Sequence, residues 1–124
     1  MSTISTHVLD TVLGKPAAGV VVRLDGMWGG AWTEKNGVRN QDVPGDWVEI
    51  SRSITDSDGR CRDLPSISAD EDYRLTFVTG AYLAGHGRTT IYPEISIVFR
   101  CSGDEHYHLP LLLSDNSYTT YRGS

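Results

Sequence analysis

The side chains that could do chemistry in this chain are a few histidines and one turn arginine. The first pair is in the run His106-Tyr107-His108-Leu109-Pro110-Leu111-Leu112-Leu113. Successive side chains of a strand alternate between faces, so Tyr107, Leu109, Leu111 and Leu113 form one apolar face, which must be core. His106, His108 and Pro110 then point the other way, toward solvent or another subunit. Pro110 cannot donate a ladder hydrogen bond, which places it at an edge or an irregularity. Two histidines at i, i+2 on one face can ligate a metal. No Cys or His cluster supplies a third and fourth ligand, so no metal site is expected. His7 is in a second run, with Ser5, His7 and Leu9 on one face and Ile4, Thr6 and Val8 on the other. Spacing alone leaves a lone strand histidine more readily structural than catalytic. Arg60 follows Asp58-Gly59 at a turn, where an arginine is ordinarily just solvated. The stretch Asp56-Ser57-Asp58-Gly59 brushes against a calcium loop and fails it: with Gly59 at the sixth loop position, Ile54 takes the first and Pro65 the last. A serine-nucleophile elbow, a phosphate-cradling glycine loop and a full dinucleotide fingerprint are also absent.

The elements that must hold these residues are strands. Short runs rich in Val, Ile, Thr, Tyr and Phe recur between turn signals, and none sustains helical periodicity over three turns. Seven strands are predicted, over 4–10, 19–24, 47–54, 73–78, 94–101, 106–113 and 117–122, with one or two turns of helix near Thr79 to Ala84. That pattern predicts an all-β sandwich or barrel rather than a parallel sheet. The 124 residues make one domain, 1–124. Asp25 to Gly45 stands apart, with five glycines and two tryptophans in that short span, and is expected to be an extended loop.

Composition narrows the function classes. Apolar residues are 39% and charged residues 22%, an ordinary globular balance. Eleven basic against sixteen acidic side chains leave a net charge of −5, which disfavours both nucleic acid and anionic lipid as partners. No apolar run approaches bilayer length. The first residues have neither the basic start nor the apolar stretch of a signal peptide, so the expected location is cytoplasmic. Cys61 and Cys101 make no disulfide framework and are expected to be free thiols.

Several segments together resemble one family. Ser5-Thr6-His7-Val8-Leu9-Asp10-Thr11 with Gly14-Lys15-Pro16-Ala17 resembles the opening of the 5-hydroxyisourate hydrolases, the transthyretin-related enzymes of urate breakdown. Thr55-Asp56-Ser57-Asp58-Gly59-Arg60 resembles their central arginine motif. His106 to Ser114 and the terminal Tyr121-Arg122-Gly123-Ser124 resemble their C-terminal signature, and Tyr73 to Phe77, Thr79 to Tyr82 and Tyr92-Pro93-Glu94 also fit. The segment 25–45 looks longer than the family's loop, and Asp115-Asn116-Ser117 departs from its Pro-containing turn.

The resemblance implies a transthyretin-like Greek-key β-sandwich of two four-stranded sheets with one short helix. It also implies a homotetramer, a dimer of dimers, with active sites at the dimer–dimer interface. The implied reaction is hydrolysis of 5-hydroxyisourate to 2-oxo-4-hydroxy-4-carboxy-5-ureidoimidazoline, without a cofactor. Carried over residue by residue, the catalytic positions are His7, Arg60, His108 and Ser124, and the substrate-binding positions are His7, Arg60, Tyr121 and Arg122. A histidine can take the proton from the attacking water; sequence does not choose between His7 and His108. Arg60 can steady the oxyanion or hold the urate-like substrate. The alternative is a transthyretin-type carrier that binds a small ligand without catalysis. Such a carrier would not need His7, His108 and the terminal tetrapeptide together.

Overall fold

The computed structural model describes residues 1–43 and 45–123. Twelve strands and one helix follow in order: β1 (Thr3–Ser5), β2 (Val8–Asp10), β3 (Lys15–Pro16), β4 (Val21–Trp28), β5 (Ala31–Lys35), β6 (Val38–Val43), β7 (Asp46–Ile54), β8 (Asp72–Phe77), α1 (Thr79–Gly85), β9 (Ile95–Arg100), β10 (His106–His108), β11 (Leu111–Leu113) and β12 (Tyr118–Thr120). Two four-stranded sheets carry the architecture, ordered β12-β11-β2-β3 and β7-β4-β8-β9. Their inward side chains meet in one core, Val8, Tyr107, Leu111 and Leu113 from the first sheet's side and Val22, Leu24, Leu75 and Phe77 from the second. Fully burying each such aliphatic or aromatic side chain contributes roughly 1.5–3 kcal/mol, so the alternation fixes which face of every strand turns inward. The all-β sandwich with one short helix is therefore the fold observed. No helix among the described residues is long and apolar enough to cross a membrane.

Each of the two site-bearing runs, expected as one strand, is two. β1 pairs with β10 in parallel, Ser5 opposite His108, and β2 pairs with β11 at the same offset, Val8 opposite Leu111. Between them the ladder lapses, and by that shared offset Pro110 falls opposite His7. The proline has no N–H to donate, and the Thr6 hydroxyl takes up the neighbouring Leu109 carbonyl at 2.7 Å. Pro110 is buried rather than turned outward with the histidines, and its carbonyl accepts the Thr120 hydroxyl at 2.8 Å.

The segment 25–45 is not the expected loop. β4 runs on through it to Trp28, and β5 and β6 form a separate antiparallel hairpin. Lys35 pairs with Val38 across a two-residue turn in which Asn36 and Gly37 both have positive φ, 54° and 76°. An Asn-Gly pair is the favoured chemistry for that turn, because it follows the twist of the strands it joins. Glycines here punctuate strands instead of dissolving them.

Candidate active site

Four stretches of chain run side by side where the site-bearing strands lapse. Arg60 forms an antiparallel bridge with His7, and His108 forms one with Gly123. Between these pairs, the Leu109 amide donates to the Ser5 carbonyl at 2.9 Å and the Leu111 amide to the His7 carbonyl at 3.0 Å. His7, Arg60 and His108, distant in sequence, therefore share one patch. His7 and His108 are half-buried, and they lie on the faces opposite Ile4, Thr6, Val8, Tyr107 and Leu109, all of which are in the core.

The turn before Arg60 is built to bring it there. The Gly59 amide donates to the Asp56 carbonyl at 2.9 Å, and the Arg60 amide to Asp56 Oδ1 at 3.1 Å. That Arg60 amide bond, with the Arg62 guanidinium, holds the Asp56 carboxyl below its ordinary range. Gly59 has φ +77°, and a Cβ there would collide with the Val8 carbonyl. Only glycine lets the turn approach closely enough for the Val8 amide to donate to the Gly59 carbonyl at 2.8 Å. This docking sets Arg60 beside His7.

His108 is tuned downward. Burial disfavours its charged form first, and Arg60, His106 and His7 add like charge. Both effects favour its neutral form, the form a proton acceptor must have. Its Nδ1 lies 2.7 Å from the Ser5 hydroxyl, and among the described residues nothing hydrogen-bonds its Nε2. Of His7, Arg60 and His108, only Arg60 lines a hollow of about 300 Å³, together with Ile4, Ser5, Thr6, Cys61 and Leu64. A second hollow of about 260 Å³, lined by Met27, Trp28, Val48, Ile50 and Tyr73, holds none of these candidates.

The C-terminal residues divide. Gly123 reaches the patch, its amide donating to the His108 carbonyl at 2.7 Å. Arg122 stacks its guanidinium 4.2 Å from the Tyr107 ring centre and donates to the His106 carbonyl at 3.3 Å. Tyr121 is 54% exposed, and Ser124 lies outside the described residues. Cys61 and Cys101 are free and buried, and burial pushes both thiols up, Cys101 to about 11. Among the described residues no three His, Cys, Asp or Glu side chains gather as a metal site would require. Ser5 and Thr3, which bond the two C-terminal histidines, were not singled out by sequence. The signal was present, because Thr3, Ser5 and His7 alternate along one polar face.

Two four-stranded sheets packed as a sandwich, one short helix and a histidine–arginine patch together make up a transthyretin-like architecture. The HIUase/Transthyretin family matches residues 4–123, and the chain belongs to it. The 5-hydroxyisourate hydrolase of Salmonella typhimurium is 40% identical, covering 98% of this chain and 80% of that protein. Among solved structures, Klebsiella pneumoniae 5-hydroxyisourate hydrolase superposes with a TM-score of 0.75 at 31% identity, covering 100% of this chain and 94% of that one. Transthyretin from Sparus aurata superposes with a TM-score of 0.81 at 30% identity, covering 97% and 95%.

Proposed function

We infer that the chain is a hydrolase that opens 5-hydroxyisourate to 2-oxo-4-hydroxy-4-carboxy-5-ureidoimidazoline in urate degradation. The observation that carries this reading is the convergence of His7, Arg60 and His108 on one outward patch, where backbone bridges and strand pairing bring together residues far apart in sequence. The relatives named as 5-hydroxyisourate hydrolases, matched over nearly the whole chain, support it over the transthyretin-type carrier.

The reaction needs a water to add to a ring carbonyl and the adjoining C–N bond to break. Neutral His108 takes the water's proton as the oxygen attacks. The developing oxyanion is met by the Arg60 guanidinium, which stays charged throughout. His108 then returns the proton to the departing ring nitrogen, and the water's oxygen ends in the new carboxyl group, whose remaining proton ionises to solvent to leave the carboxylate. His7, paired with Arg60, holds the substrate. Tyr121 and Arg122 complete the binding side of the site in this reading, and Ser124 helps position the water or a histidine.

The working unit is a homotetramer, a dimer of dimers, with the patch at the dimer–dimer interface. Leu9 and Leu112, opposite each other in register, are only half-buried in the single chain on the face that bears His7 and His108. Covering that face with a second copy would bury them and wall off the site.

The test generates 5-hydroxyisourate from urate with urate oxidase and follows its absorbance with and without the protein. Acceleration insensitive to EDTA is expected. A decay no faster than the spontaneous one would sink the hydrolase reading.

A further inference from the structure

Two polar side chains, through three contacts, bind the two C-terminal histidines into a chain. Thr3 Oγ1 lies 2.6 Å from His106 Nδ1, Ser5 Oγ lies 2.8 Å from His106 Nε2, and the same Ser5 oxygen lies 2.7 Å from His108 Nδ1. The parallel register of β1 and β10 makes this possible, setting Thr3 opposite His106 and Ser5 opposite His108.

Ser5 is a junction with a single proton. A hydroxyl donates once and accepts at either of two lone pairs, so the two rings cannot both present a bare nitrogen to it. Two arrangements have Ser5 donating to one ring and accepting from the other; a third, in which Ser5 accepts from both rings, also leaves His108 protonated on Nδ1. In the first, His108 donates from Nδ1 to Ser5, Ser5 donates to His106 Nε2, and His106 donates from Nδ1 to Thr3. In the second, every donor and acceptor is exchanged, and His108 carries its proton on Nε2. The surrounding charge separates the two tautomers of His108. The Arg60 guanidinium, charged at every relevant pH, acts on the His108 ring, and the nitrogen left free of Ser5 is Nε2, where positive charge favours a lone pair over an N–H. The proton on Nδ1 follows.

We propose that Ser5 is a positioning residue that holds His108 in the Nδ1–H tautomer, leaving Nε2 bare to take the proton from water. It rests on the hydrolase reading for its consequence but not for its geometry. The Ser5 proton never leaves. The water's proton goes to Nε2 and from there to the departing nitrogen, while the Nδ1–H···Oγ bond holds the ring in place. This is the usual service of an outer partner, which fixes tautomer and orientation through the other ring nitrogen.

The experiment reads the ring nitrogens directly. In the 15N-labelled protein at a pH above the histidine range, long-range proton–nitrogen spectra should show His108 with Nδ1 protonated and Nε2 bare. Ser5→Ala should move it to the Nε2–H form favoured by free histidine. In the same variant kcat should fall about 10- to 100-fold, the range for loss of an orienting partner, with KM little changed. Ser5→Thr, which keeps the hydroxyl on a strand suited to a β-branched residue, should restore both tautomer and rate. Unchanged ring shifts in Ser5→Ala overturn the proposal. So does a rate loss without a tautomer change, or a Ser5→Thr protein that keeps the Nδ1–H form and stays slow. A wild-type protein with no activity on 5-hydroxyisourate would refute the hydrolase reading instead, leaving the tautomer measurement to stand by itself.

Discussion

Gly123→Ala should cripple the site while leaving the fold almost untouched. A Cβ at position 123 would stand 2.6 Å from His108 Cδ2, 3.4 Å from its Cγ and 3.5 Å from its Cβ. Opening the shortest of these to an ordinary contact of 3.4 Å requires the two groups to part by 0.8 Å. Neither can yield freely. If the C-terminal segment lifts, the 2.7 Å bond from the Gly123 amide to the His108 carbonyl is lost. If the imidazole turns, its 2.7 Å contact with Ser5 is lost. Either route costs about 1 kcal/mol of hydrogen bonding, a small fraction of a domain's stability. Catalysis is far more sensitive, because a misplacement of about 1 Å at a reacting group can cost about 100-fold in rate. The measurements are thermal unfolding and the absorbance decay of 5-hydroxyisourate, on wild type and variant side by side. The expected outcome is a melting temperature within a few degrees of wild type and turnover reduced by roughly 10- to 100-fold. Wild-type turnover in a folded Gly123→Ala protein would mean that His108 does not react from the position described here.

Other expectations follow from the same geometry. Arg60→Ala and His108→Ala should each keep the fold and lose about 100-fold or more in rate, as for a lost oxyanion partner or proton carrier, and His7→Ala should lose about 100-fold through the substrate positioning it supplies; near-normal turnover in any of them removes that residue from the reaction. Because burial and like charge lower His108, kcat/KM should hold below the ordinary histidine value of 6.5 and fall only as the ring finally takes its proton; an acid limb above that value would contradict it. Leu112→Glu, which places a charge on the outward face, should break the tetramer and the activity together; a fully active monomer on size-exclusion chromatography would separate site from interface. Away from the site, burial alone would raise the Asp10 carboxyl, but bonds from Arg88, Tyr82 and the Leu13 amide outweigh it and hold it at about 2 instead of 3.8. Its contribution, about 2 kcal/mol, is present above pH 3.8 and lost as pH falls toward 2. Arg88→Met should cost about 3–5 kcal/mol in urea unfolding by stranding that carboxylate, and an unchanged urea midpoint would refute the pairing.

Much of the sandwich is written in short-range pattern. Alternation along 106–113 and 4–10 assigns Tyr107, Leu109, Leu111, Ile4, Thr6 and Val8 to the core and His7 and His108 to the other side, and the burial agrees. Such assignments need only the period of a strand and the free energy of burying apolar surface. Within 25–45, Asn36-Gly37 is a hairpin signal that a count of glycines passes over. What no local pattern holds is the register between distant segments. That His7 would bridge Arg60, or Gly123 would reach His108, depends on backbone hydrogen bonds between residues far apart along the chain. The broken strands show the same limit, since Pro110 ends the ladder at a position that only its alignment with His7 makes meaningful. The Ser5 junction is the clearest case. Serine, like threonine, is common on an exposed strand face, and nothing in Thr3-Ile4-Ser5 names its partners. Only the parallel pairing of β1 with β10 brings one hydroxyl within reach of two imidazoles. Sequence thus determined which side chains are present and which way each strand faces. The tertiary structure decided which of them meet, because their meeting is fixed by long-range pairing and close backbone approach.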